Sequence, residues 1–94
     1  MMSNIPIKLD KVKKENIDKQ ILRTGIIAEL DAIDLYEQMA AMTDSEAIRK
    51  VLLDIAKEEK THVGEFQLLL LKKDPEQVDE LKKGKKEVEK LIKK

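Results

Sequence analysis

The sequence has no cysteine and no tryptophan, only two prolines and three glycines, and just two aromatic residues, Tyr36 and Phe66. Lack of cysteine excludes disulfides, thiolate metal sites and a cysteine nucleophile. Nowhere does an apolar run approach the roughly 20 residues that a membrane-spanning helix needs. The longest apolar cluster covers residues 68–71. The opening stretch, MMSNIPIKLDKVKK, has no apolar segment of signal-peptide length, so a cytoplasmic protein is expected. Residues 82–94 carry seven lysines against two glutamates but no aromatic on which a base could stack. A solvated lysine-rich helix end explains them better than a nucleic-acid surface.

What is present is a palette for helices. Charged residues make up 40% of the 94 positions, and Lys, Glu, Leu, Ile and Ala dominate. Net charge is zero but unevenly placed. Residues 26–70 hold ten Asp/Glu against four Lys/Arg, an acidic middle that suits cations.

Residues 1–13 lack clear periodicity, contain Pro6 and are read as an N-terminal arm. A first helix is predicted over 16–42, with Ile17, Ile21, Ala28, Ala32, Leu35 and Met39 recurring mostly at three and four. Thr43 followed by Glu46 has the form of a capping box, which predicts a second helix over 44–72. Asp74 as N-cap and Pro75 at the first helical position open a third over 75–93. Its apolar set is Val78, Leu81, Val88, Leu91 and Ile92, and Gly84 weakens it by roughly 1 kcal/mol relative to Ala. The first two helices would each be about 40 Å long. Their short link predicts an antiparallel hairpin. Ile27, Leu30 and Leu35 leave the main face of the first helix, and Leu69 and Leu71 that of the second. Two helices cannot enclose a core alone. The expected fold is therefore all-α, a single domain over 1–94 with a helical hairpin and a short C-terminal helix. Two chains would dimerise into a four-helix bundle.

Helical position can be computed at about 100° per residue. With Glu59 at the origin, Leu52, Ile55, Ala56, Val63, Phe66 and Leu70 all fall within about 60°, and so does His62. Glu58 lies on the flank. With Glu29 at the origin, the neighbours are Leu22, Ile26, Ala32, Ile33, Tyr36 and Ala40. Each helix thus places one carboxylate in its apolar seam, and the second adds the chain's single histidine. A carboxylate so placed must be protonated, paired or bound to a cation. Arg49, Lys50, Lys57 and Lys60 fall mostly outside the seams. A lone buried Glu or His is commonly an ordinary hydrogen-bonded core residue, but two acids and a histidine within reach of one another favour metal. Carboxylate oxygens with imidazole suit iron or manganese, and zinc is also compatible. Carboxylate di-iron bundles use one Glu from each of two helices and Glu-x-x-His from each of two others. One chain here carries half of that set, and a twofold pair carries all of it.

The stretches IIAELDAIDLYEQMA and DIAKEEKTHVGEFQLLLLKKDPEQ, with Glu29, Tyr36 and the Glu58-Glu59-x-x-His62 motif, resemble the encapsulated ferritins over roughly residues 16–81. These are small ferritin-like proteins housed in encapsulin nanocompartments. The resemblance implies a half-bundle that dimerises around a two-iron ferroxidase centre, with dimers forming a ring of ten subunits. By position it implies Glu29, Glu59 and His62 as iron ligands and Tyr36 as a residue beside the centre. An ordinary core tyrosine is an equal reading of Tyr36. Asp31 matches an acid that helps cations enter the ring, while the family's other such acid corresponds to Ala28. A tryptophan of some members is Leu35 here. Partners implied are a second copy and the encapsulin shell protein, with no nucleic acid and no membrane. The expected location is the cytoplasm, inside the nanocompartment. Members reach the shell by a C-terminal tail or by fusion to it. The sequence ends in EVEKLIKK, which matches no such tail, so a shortened chain and a piece of a fusion both stay open.

The function so implied is oxidation of Fe(II) by dioxygen, with the Fe(III) passing to a mineral stored inside the shell. Two alternatives stand beside it. One is a rubrerythrin-like di-iron peroxidase, although that class usually holds its full ligand set in one chain. The other is a non-enzymatic helical assembly module stapled by its metal.

Overall fold

A computed structural model describes residues 13–93, with Glu15 described by its backbone alone. The expected N-terminal arm, save Lys13, lies outside the described residues. Lys14–Asn16 form one 3-10 turn that leads into α1, Ile17–Met42. Two more helices follow, α2 over Glu46–Lys73 and α3 over Pro75–Ile92. The described chain is helical throughout, broken only at two corners.

The first corner corrects the expected start of α2. Thr43 is not its N-cap. Ser45 is: its hydroxyl accepts from the Ile48 backbone N–H at 3.2 Å, and its carbonyl from that of Arg49 at 3.0 Å. The Thr43 hydroxyl accepts from the Ser45 N–H at 3.1 Å, which shapes the link rather than the helix. Glu46 does not complete a capping box either; it pairs with Arg49. The Arg49 guanidinium also donates to the carbonyls of Ala40, at 3.2 Å, and Thr43. These carbonyls lie at the C-terminal end of α1, where the helix offers no partners of its own. Ser and Thr are both good caps. Here Thr43 and Ser45 are both extended, and Arg49 ties the first turn of α2 to the end of α1 across them.

The second corner is one residue long. Asp74 ends α2 and caps α3, its carboxylate accepting from the Gln77 N–H at 3.1 Å. Pro75 follows at the first helical position, where a missing N–H costs nothing. The other Asp74 oxygen accepts from Arg23 of α1 at 2.8 Å. This ion pair, between residues 51 apart in sequence, anchors the base of α3 to the hairpin. Beyond Val78 every described residue of α3 is exposed. The helix therefore stands off the hairpin as an arm. The radius of gyration, 16.8 Å, exceeds the roughly 12 Å of a compact domain of this length for the same reason.

α1 and α2 pack along their length, antiparallel. The buried apolar residues are Leu22, Ile33 and Ala40 from α1 and Ala56 and Leu70 from α2. All five belong to the two seams that surround Glu29 and Glu59. The recurring row Ile17, Ile21, Ala28, Ala32, Leu35 and Met39 contributes none of them. Its members are half-buried or exposed. It lies about 120° around the helix from the buried row. α1 thus has a second apolar face beside the one that meets α2. Among the described residues five make a thin core, while Leu30, Val51, Leu53, Leu68 and Leu69 remain exposed.

Candidate metal centre

Midway along the hairpin the two seams bring three side chains together. Glu29 comes from α1, and Glu59 and His62, one turn apart, from α2. Their ligand atoms all lie within 4.8 Å of one another, and no other such group forms among the described residues. His62 Nδ1 stands 3.4 Å from Glu29 Oε2 and 3.4 Å from Glu59 Oε2. Both distances exceed the usual 2.7–3.2 Å of an N–H···O bond. One ring nitrogen carries at most one hydrogen, so it cannot serve two carboxylates. The contacts are better described as three donor groups facing a shared point. Two ligands each about 2.1 Å from a first-row metal ion are themselves roughly 3.0–3.4 Å apart.

Burial sharpens the fit. Both glutamate side chains are 19% exposed, whereas the imidazole is 44% exposed. Glu29 Oε2 is fully buried and has no hydrogen-bond partner among the described residues. A buried carboxylate oxygen without a partner is costly, by about 1–3 kcal/mol or more. The lysines paired across the hairpin, Lys60 with Glu37 at 3.4 Å and Lys73 with Asp18 at 3.5 Å, meet other carboxylates. An orphaned carboxylate oxygen beside a second carboxylate and an imidazole nitrogen is a donor set that a divalent cation satisfies.

The remaining sequence candidates lie around this cluster without joining it. Tyr36 is half-buried on α1, seven residues after Glu29 and on the same side of the helix. Asp31 is half-buried as well, but about 200° around α1 from Glu29. It is not one of the clustered groups. Glu58 is exposed on the flank of α2.

Three residues were not anticipated. Arg23 gives no sequence signal, since its partner lies around a corner, and of the partners of Arg49 only Glu46, three residues before it, is local. Asp74 was read as a cap but not as the partner of Arg23. Its pKa is lowered, first by the Gln77 N–H and then by the Arg23 guanidinium and the Lys19 charge, against the opposing effect of burial. The third is Gly25, mid-helix in α1, against which the Phe66 ring lies. An isolated glycine inside a helical pattern was the available signal, since it costs about 1 kcal/mol unless packing needs it.

A helical hairpin with Glu on one helix and Glu-x-x-His on the other is the repeating half of a ferritin-like bundle. More narrowly, the chain belongs to the encapsulated ferritin family: the EncFtn-like family model matches residues 5–85. The crystal structure of the encapsulated ferritin domain from Pyrococcus furiosus is similar at a TM-score of 0.84 and 55% identity. The match covers 98% of this chain and 96% of that one. A ferritin-like–encapsulin shell fusion protein of the same organism is 56% identical over 94 residues, 97% of this chain but 27% of the relative. An encapsulin nanocompartment cargo protein of Myxococcus xanthus is 39% identical over 63 residues, 67% of this chain and 48% of the relative. The chain thus spans about a quarter and about half of these two curated relatives.

Proposed function

We propose that this chain is a ferroxidase, oxidising Fe(II) to Fe(III) with dioxygen at a two-iron site shared between two copies. The observation that carries the reading is the buried, unpartnered Oε2 of Glu29 facing Glu59 and His62. Iron is the substrate, with manganese or zinc able to occupy the same ligands. Each chain would offer two carboxylates and one imidazole, and two chains would double that set around a twofold axis. The carboxylates would offset the charge of the bound cations, which grows as each Fe(II) gives up one electron to dioxygen. The more exposed imidazole would complete the ligand set on its open side. Tyr36 would hydrogen-bond a water or ligand at the edge of the site. Asp31, set apart from the cluster, would draw cations toward it.

The two-chain arrangement is favoured by the thin core and the second apolar face of α1, which a lone hairpin leaves wet. A homodimer, assembling further into a ring of ten, would cover it. The names of the curated relatives support a place in an encapsulin nanocompartment, with a shell protein as partner and the oxidised iron stored there. In that setting the 94 residues act as one half-bundle unit.

The test is direct. Fe(II) is added anaerobically, air is admitted and Fe(III) absorbance is followed. Wild type oxidises iron rapidly, and His62→Ala and Glu59→Ala fall toward the uncatalysed rate. Equal rates in all three would remove the ferroxidase reading. Rapid turnover of hydrogen peroxide with little response to dioxygen would point to a peroxidase. Metal-dependent assembly without oxidation would leave a structural staple.

A further inference from the structure

We infer that Gly25 is a positioning residue for the metal site, its missing side chain setting the distance between α1 and α2 where the ligands meet. The inference rests on the metal reading above and extends it to a residue that binds nothing.

Phe66 lies one helical turn after His62 on α2, and Gly25 one turn before Glu29 on α1. The helices are antiparallel, so the two pairs are successive rungs of one register. Lys73 and Asp18 pair at 3.5 Å in the same register, seven residues beyond Phe66 and Gly25. The Phe66 ring fills the space at Gly25. A Cβ there would stand 3.2 Å from Cε2 and Cζ and 3.3 Å from Cδ2. Ordinary carbon contacts are about 3.5–4.0 Å. Any side chain at position 25 therefore moves the ring, or the helix carrying it, by a few tenths of an ångström. Ligand distances in a metal site tolerate about 0.2 Å. One rung away, His62 Nδ1 and Glu29 Oε2 stand 3.4 Å apart across the same interface.

Gly25 has no positive φ, so its backbone does not require glycine. Helix propensity argues against glycine here, since alanine is better by about 0.8–1.0 kcal/mol in a helix interior. Close approach is what remains to explain it. Gly84 is the natural control, because a Cβ there meets nothing within 4 Å.

The experiment titrates the full chain with Co(II), following ligand-field absorbance, beside a thermal melt. Wild type and Gly84→Ala bind with the same affinity and band. Gly25→Ala binds about tenfold more weakly, the scale of losing a residue that orients ligands. Its band shifts, while its melting midpoint stays at or above that of wild type. Gly25→Ala combined with Phe66→Leu regains affinity, because the shorter side chain yields the space. Unchanged affinity and band in Gly25→Ala, or a loss that Phe66→Leu does not repair, overturns the inference. Absence of a Co(II) band in wild type overturns the metal reading itself, and the inference with it.

Discussion

Asp74 links the three helices. Its two oxygens are divided between the first turn of α3 and the guanidinium of Arg23. The ionised form is the one these partners hold, so its pKa in the folded protein lies below that of the unfolded chain. A carboxyl lowered on folding stabilises the fold above its unfolded pKa, and that contribution fades as pH falls through the folded value. Asn at this position keeps the cap, because Asn and Asp cap equally well. Asp74→Asn should therefore be less stable than wild type at neutral pH. The gap should close in the acid range below the ordinary carboxylate value. Denaturant midpoints measured against pH at fixed protein concentration check this, and a gap independent of pH would contradict it. At this scale the sequence was partly legible. Asp74-Pro75 announces a helix start, and the positions of Glu29, Glu59 and His62 follow from period alone. Arg23 was silent because its partner lies 51 residues away, around a corner whose angle no local pattern encodes.

At the scale of elements, α2 begins at Ser45 and not at Thr43. Both residues can cap, and Glu46 fits a capping box with Thr43 in spacing. In the structure Arg49 takes Glu46 as its partner and closes the last turn of α1. Ser45→Ala should then cost about 1 kcal/mol, the usual loss for a Ser cap. Thr43→Ala should cost less, since its hydroxyl serves only the link. Urea melts of both variants test the order, and a larger loss at Thr43 would restore the capping box. The Pro75 start of α3 needed no such arbitration, because Asp-Pro leaves little else to choose. Gly25 was passed over for a related reason. Its spacing says only that a helix has a weak position, and the explanation lies in the Phe66 ring of another helix.

At the scale of the molecule, large apolar side chains such as Ile27, Leu30, Val51, Leu53, Leu68 and Leu69 are exposed along the hairpin. The expectation that Leu30 and Leu69 lie off the hairpin's own interface agrees with their exposure. If a second copy covers this surface, Leu30→Lys with Leu69→Lys should shift the assembly toward monomer. Sedimentation velocity reads the change directly. Far-UV dichroism should remain helical, and an unchanged sedimentation profile would place the contact elsewhere. Iron oxidation should fall with assembly, because one chain holds only half of the proposed ligand set.

The sequence alone determined the all-helical character, the hairpin, and the presence of two acids and a histidine on inward faces. Each of these is a consequence of local rules: helix periodicity, cap chemistry and the exclusion of charge from apolar seams act within a few residues. Tertiary structure alone decided which serine or threonine caps, how Arg23 and Arg49 lock the corners, and how closely the helices approach at Gly25. Those outcomes depend on the distance and register between segments far apart in the chain. At Gly25 the approach is already so close that an added Cβ would require a shift of a few tenths of an ångström.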